Sequence, residues 1–311
     1  MLARYLRLML LFELAAYVAI AWWLHFLLGW SYAWLALAAA SAAIFGRLAM
    51  VCITATIAFA AGAPAIRAHP LGLGATAALV LREWLAVLAT NFFCFPWDRL
   101  ALRRDPEPSP SATIPVVMVH GYFSNRGYFR ALVRALEARG IGPVFAPNFI
   151  ATFATIEEFV VNLEREIERI ALGTGQPHVI LVCHSMGGLA ARAYLCAKGS
   201  ERVRKLITIA SPHHGTVQAR FGAGQNARQM HPGSAFLGEL CDKEAARAPE
   251  CGVTSIYTLH DNLVSPQETS RLAWAKNVTL TGYGHLDILR SRRLAELLVE
   301  ELRDCGVRPS A

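Results

Sequence analysis

The chain has 311 residues, of which 54% are hydrophobic and only 17% charged, with a formal charge of +7 and a mean hydropathy of +0.35. Soluble globular chains carry about 25% charged residues, so this composition excludes a disordered or highly charged protein and places part of the chain in lipid. The basic balance contains no Lys/Arg run, which fits anionic headgroups and gives no nucleic-acid footprint, and the seven cysteines lack any CxxC or zinc-type spacing.

Residues 1–70 are mostly apolar. Leu6 to Leu28 includes only Arg7, Glu13 and His25 as ionisable residues, and about 20 such residues cross a bilayer. A second run, near Ala33–Phe59, is interrupted once by Arg47. Gly29-Trp30-Ser31 between them predicts a turn, so the two runs form a transmembrane helical hairpin. A cleaved signal peptide, with Arg4 and Arg7 as its n-region, is the alternative; the apolar run exceeds an h-region and a second follows at once. Trp22, Trp23, Trp30 and Trp34 surround the turn, as expected at one membrane interface. Arg4 and Arg7 flank one span, Arg67 and Arg82 follow the other, and the turn has no Lys or Arg. The positive-inside rule then places both ends and the rest of the chain on the cytoplasmic side. Arg47 must snorkel or find a partner, for which Glu13 is the candidate.

Residues 71–112 form a separate connection. Leu71 to Phe95 is apolar but has Arg82-Glu83 in its middle, which disfavours a simple span. It is expected at the interface or docked on the domain that follows. Arg103 to Ser111 is charged and Pro-rich, the pattern of a linker.

Residues 113–311 alternate between strand and helix patterns. Predicted strands are Ile114–Val119, Pro143–Ala146, His178–Cys183, Val203–Ala210, Val253–Leu259 and Asn277–Leu280. Predicted helices are Tyr128–Arg139, a capping-box helix from Thr155 to Ala171, Met186–Ala197 and Ser291–Asp304. This alternation predicts an α/β fold, a mostly parallel sheet with helices on both faces.

Cys183-His184-Ser185-Met186-Gly187-Gly188 lies where a buried strand meets a helix. That context predicts a nucleophile elbow, a sharp turn that lifts the Ser185 oxygen above the sheet. Gly187 supplies the small residue two after the serine. Cys183 stands where the general pattern has glycine, but it is small and buries well.

Residues 113–304 resemble the α/β-hydrolase superfamily, specifically bacterial triacylglycerol lipases and related esterases. The resemblance rests on VMVHGYFSN (Val117–Asn125), CHSMGG (Cys183–Gly188), TIASPHHGT (Thr208–Thr216), QMHPGSAFL (Gln229–Leu237), LHDNLVSP (Leu259–Pro266) and GYGHLDIL (Gly282–Leu289). It does not extend to residues 1–110. The resemblance implies the order serine, acid, histidine, hence Ser185 as nucleophile, Asp261 as acid and His285 as base. It implies an oxyanion hole from the N–H of Met186 and one from the loop after the first strand, with Tyr122 as donor and Phe123 as the alternative. Asp287 is the runner-up acid.

Other residues receive plainer readings. His184 is expected to point away from the serine, His120 to brace its loop, and His213 and His214 to shape theirs. Thr216–Leu240 is either a lid or acyl-pocket wall, or an excursion packed on the sheet. Asp242 and Asp287 are two possible calcium ligands, too few for a cation that wants six or more oxygens. No cofactor and no metal is called for. Cys241 and Cys251 would pair only in an oxidising compartment, against the cytoplasmic placement.

The sequence thus predicts a membrane-anchored lipase or carboxylesterase (EC 3.1.1 type) in a bacterial inner membrane, acting on a lipid or other acyl ester. An acyltransferase or thioesterase would use the same residues. A non-catalytic membrane scaffold is the third reading, disfavoured by the intact Ser, Asp and His set. The sequence carries no signal for an oligomeric state.

Overall fold

The structure is a computed structural model that describes residues 2–149 and 152–307. Residues 308–311 of the expected catalytic domain lie outside the described residues. Two long helices come first, α1 (Leu2–Leu28) and α2 (Tyr32–Ala61). Gly29, at φ +65°, ends α1 in the left-handed conformation that glycine adopts without steric cost. Ser31 caps α2, its Oγ accepting from Trp34 N–H. At 1.5 Å per residue α1 is about 40 Å long, against about 30 Å of bilayer hydrocarbon. Both helices, and the segment Leu73–Cys94, are long and apolar enough to cross a membrane.

Within the hairpin Glu13 and Arg47 are paired. Arg47 Nη2 lies 2.6 Å from Glu13 Oε2, and the guanidinium sits 4.6 Å from the centre of the Phe92 ring. The base of α1 meets the following domain, where Tyr5 packs edge-on against Phe123 and Phe153. After a short helix α3 (Ala63–Ala68), α4 (Leu73–Ala89) runs into a π-helical turn at Thr90–Cys94 and then α5 (Asp98–Ala101). Docking, rather than a free position, is what α4 adopts. Trp84 Nε1 donates to Ile44 O at 3.0 Å, and Arg82 and Glu83 both reach the segment Gly282–Asp287. The Pro-rich segment is also held down, because Asp105 pairs with Arg126 and accepts from Ala146 N–H at 2.9 Å.

The sheet has six strands, all parallel, in the order β2-β1-β3-β4-β5-β6: β1 (Val116–Val119), β2 (Val144–Phe145), β3 (Val179–His184), β4 (Val203–Ile209), β5 (Gly252–Thr258) and β6 (Lys276–Leu280). Side chains alternate between its faces. Val116, Met118, Ile180 and Val182 pack against α6 (Arg130–Glu137) and α11 (Arg292–Asp304). Val117, Val119, Leu181 and Cys183 pack against α7 (Ile156–Thr174), α8 (Met186–Lys198) and α10 (Ala235–Ala246); α9 (Gln225–Gln229) lies between α8 and α10 in the chain. Covered on both faces, β1 and β3 read as nearly continuous apolar runs, each fully buried Val, Leu or Ile contributing about 1.5–3 kcal/mol.

Two predicted boundaries move for physical reasons. The helix expected at Tyr128 begins as a 3₁₀ turn at Arg126, because Asn125 Oδ1 accepts from Gly127 N–H. The helix expected to stop before Gly173 continues to Thr174 and ends at Gly175, φ +66°. Gly173 lies inside the helix, and Pro108 occupies the space a side chain there would need.

Candidate active site

The strand order reverses between β1 and β3, and ligands of open parallel sheets sit at the carboxyl end of such a switch. Ser185 follows β3 there, and Gly121-Tyr122 follows β1. Ser185 has φ +57° and ψ −131°, a strained conformation for a residue with a side chain. The strain is imposed by packing: a Cβ on Gly187 would fall 2.5 Å from Val119 O, and one on Gly188 would overlap Ser211. Only glycines let α8 start this close to β1, so Ser185 is held on a tight strand-to-helix turn, partly exposed.

Asp261 follows β5 and His285 follows β6. His285 Nδ1 lies 2.9 Å from Asp261 Oδ2 and 3.1 Å from Oδ1. Asp261 Oδ1 also accepts from Leu263 N–H (2.7 Å) and Val264 N–H (2.8 Å), which fixes the carboxylate as an acceptor. That requires the proton on Nδ1 and leaves Nε2 free as a base. Burial pulls the His285 imidazole down, but the charge and hydrogen bond of Asp261, with the Glu83 carboxylate behind, outweigh it and leave it above the ordinary histidine value. Asp287 is engaged elsewhere: Arg82 Nε lies 3.0 Å from its Oδ2.

The N–H of Gly121 is taken by Tyr128 Oη at 3.1 Å. Those of Tyr122 and Met186 have no partner among the described residues. Met186 is the first residue of α8, so its N–H carries the positive end of that helix. A Cβ on Gly121 would lie 2.7 Å from Ser185 Cβ and 3.1 Å from Met186 N, which sets the two loops face to face.

His184 bonds to groups other than Ser185. Its Nδ1 accepts from Tyr128 Oη at 3.0 Å and its Nε2 donates to His285 O at 3.0 Å. Burial holds it neutral, well below the usual histidine range. A chain of hydrogen bonds therefore joins Gly121, Tyr128, His184 and His285. His120 braces its loop, accepting from Phe149 N–H at 3.0 Å, with burial pulling it down to about 4. His213 is buried between Thr208 Oγ1 (2.9 Å) and the Arg192–Glu244 ion pair, where Arg192 Nη1 donates to its carbonyl. His214 Nε2 meets Arg271 O at 3.0 Å.

Ser185 and His285 border one cavity of about 530 Å³. Its wall is mostly apolar and, beside the loop 121–124 and residues 262–264, includes Met50, Val51 and Thr54 of α2, Glu83 and Val87 of α4, and Ala219, Phe221 and Met230 of the insertion. The first part of Thr216–Leu240 is thus a cavity wall. It is tied to the oxyanion loop, since Tyr122 Oη donates to Ala223 O at 2.8 Å. It is also tied to α2, since Gln218 Nε2 donates to Thr54 O at 2.9 Å. No group of three or more His, Cys, Asp or Glu positioned to hold a metal ion occurs among the described residues. Cys241 and Cys251 are both free thiols. Docking of Leu71–Phe95 on this domain was one of two expectations, but that α2 and α4 line the cavity was not legible in the sequence. The one signal was an acidic residue, Glu83, in an otherwise apolar stretch.

A family model described as the α/β hydrolase fold matches residues 114–231. The mature lipase BlEst2 of Bacillus licheniformis superposes with a TM-score of 0.55 at 17% identity, over 64% of this chain and 96% of its own. At that identity the likeness is one of fold. Two lysosomal thioesterases, PPT2-B of Xenopus laevis and PPT2 of Homo sapiens, are each 28% identical, over 32% and 39% of this chain. The chain spans only 35% and 41% of the length of these curated relatives. Sheet order, elbow, family match and shared fold agree: the second part of the chain has the α/β-hydrolase fold, preceded by an apolar helical region.

Proposed function

We propose that the protein is a membrane-anchored serine hydrolase that cleaves carboxylic esters of lipid type. The observation that carries this reading is the convergence of Ser185, His285 and the Gly121-Tyr122 loop on one apolar cavity. Ser185 Oγ attacks the ester carbonyl while His285 Nε2 takes its proton. The N–H groups of Tyr122 and Met186 receive the oxyanion. Collapse expels the alcohol, which takes the proton back from His285, and leaves an acyl-enzyme. His285 then deprotonates a water that attacks the acyl carbon, releasing the carboxylic acid and restoring Ser185. Asp261 holds the imidazole in the required tautomer and stabilises its charged form.

Residues 1–70 serve as the membrane hairpin, 71–112 as a docked helix with its Pro-rich connection, and 113–311 as the catalytic domain. Both the start of α1 and the end of α2 meet the hydrolase domain, so the Gly29–Ser31 turn lies at the far side of a bilayer. The arginine flanks support a catalytic domain on the cytoplasmic side of a bacterial inner membrane. The likeness to thioesterases supports a second reading, in which an acyl thioester takes the place of the ester. The test is fluorophosphonate labelling of the full chain, with the modified residue mapped, followed by esters and thioesters of rising acyl length. Labelling at a serine other than Ser185 overturns the assignment. Preference for thioesters selects the second reading.

A further inference from the structure

The helix α4 brings one acid beneath the loop that carries His285. Glu83 is 2% exposed. Its Oε2 accepts from Asp287 N–H at 2.8 Å, and both its oxygens lie 3.1 Å from Leu286 N. Leu286 and Asp287 are the two residues after His285. The residue before it is Gly284, where a Cβ would overlap the Glu83 carboxylate. Arg82 closes the same loop from outside through Asp287 and the Gly282 carbonyl.

A helix that docked only by apolar contact would have no use for this acid. Burying a carboxylate is unfavourable unless its oxygens are satisfied; here the loop amides offset that cost in part, and burial still pushes the Glu83 carboxyl up to about 7. The histidine backbone is held on its other sides as well. Asn262 Oδ1 accepts from His285 N–H at 3.1 Å, and Asn262 Nδ2 donates to Thr54 Oγ1 of α2 at 3.0 Å. His184 holds the His285 carbonyl. Two of these supports, Glu83 and Thr54, come from the apolar N-terminal region.

We propose that Glu83 is a positioning residue for His285, so that the serine–histidine geometry is complete only when the N-terminal helices are docked on the hydrolase domain. The proposal rests on the reading of Ser185 and His285 as nucleophile and base. Its physical basis is distance: displacing a reacting group by 1 Å costs about 10²-fold in rate. Loss of the carboxylate frees two consecutive amides beside the base, and the imbalance falls on turnover rather than on substrate binding.

The experiment uses the full chain in detergent with a soluble short-chain ester, comparing Glu83→Gln, Glu83→Asp and Ser185→Ala. Active-site titration with a fluorophosphonate counts competent molecules separately from the rate at which each reacts. In Glu83→Gln one amide oxygen remains but an N–H donor faces the loop amides. Expected is a fall in kcat per competent molecule of about tenfold or more, with KM within about twofold and a matching fall in labelling rate. Glu83→Asp keeps the carboxylate on a shorter stem and should recover part of the loss. An unchanged kcat per competent molecule overturns the proposal, as does a change confined to KM or to the number of competent molecules. If Glu83→Gln does not fold, Glu83→Asp decides alone: wild-type kcat overturns the proposal and a reduced kcat at wild-type KM supports it. Turnover that survives in Ser185→Ala would overturn the underlying functional reading instead, whatever Glu83 does.

Discussion

The two halves of α2 have similar composition and unlike surroundings. From Tyr32 to Phe45 the helix presents Trp34, Leu37 and Phe45 outward, each more than half exposed. From Arg47 to Ala61 it buries Val51 and Ala58, and Met50, Val51 and Thr54 border the cavity beside Ser185. The division falls at Arg47, whose pairing with Glu13 and stacking on Phe92 tie α1, α2 and the end of α4 together. Apolarity therefore does not distinguish a lipid-facing surface from a protein-facing one. Polar atoms do: the inner half has Thr54 engaged by Asn262 and Gln218, and the outer half offers no such contact to the hydrolase domain.

The largest expected effect shows whether the chemistry belongs to the hydrolase domain alone. Ser185→Ala should lose on the order of 10⁶ in kcat and all fluorophosphonate labelling, with the fold unchanged by circular dichroism. Asp261→Asn should lose about 10⁴ in kcat, because an amide there favours the wrong histidine tautomer. Asp287→Asn should lose less than about tenfold, since Asp287 faces Arg82; a reversed order would exchange the two acids. The same pair yields a pH test. His285 must be neutral to act, so kcat/KM should fall as pH drops through a pKa above the usual histidine value. Asp261→Asn removes the negative charge that favours the imidazolium, so the residual acid limb should move to lower pH; movement upward would contradict the assignment.

Smaller effects separate the halves of α2. Thr54→Val deletes the acceptor for Asn262 and should lower kcat about fivefold, the worth of roughly 1 kcal/mol. Leu37→Ser, in the outer half, should change turnover of a soluble ester less than about twofold while weakening retention in vesicles. Equal losses in both variants would erase the distinction. Placement is tested by a reporter active only outside the cytoplasm, fused at the C-terminus; it should stay silent, and Cys241 and Cys251 should react with thiol reagents as free thiols.

The hydrolase domain was legible because its strands are buried on both faces. Val116–Val119 and Val179–His184 read as apolar runs bounded by turns, and the structure moves their ends by only one or two residues. The elbow was legible because Ser185 and the paired glycines sit together in the chain. The Arg47–Glu13 pair apart, the sequence did not disclose the contacts between distant segments that hold the site. Glu83 showed only as a charge out of place, because its partners lie some two hundred residues on. Nor did the sequence disclose the contacts of His184, whose two ring nitrogens connect Tyr128 to the His285 carbonyl. The docking of α4 follows from the same kind of pairing, which periodicity does not encode.

The cavity wall contributed by α2 has a consequence for how a substrate is sampled. Carrying an acyl chain from a bilayer through water costs about 0.8 kcal/mol for each methylene exposed, so a chain of a dozen carbons faces a barrier near 10 kcal/mol before it meets an enzyme in solution. Where the reactive chamber opens beside helices that themselves lie in hydrocarbon, the chain passes from one apolar surface to another and that barrier falls away. On the proposed membrane-anchored reading, selectivity would follow residence: molecules would be sorted by how long they dwell in the lipid phase before they reach the cavity wall at Met50 and Val51, ahead of any discrimination by shape inside.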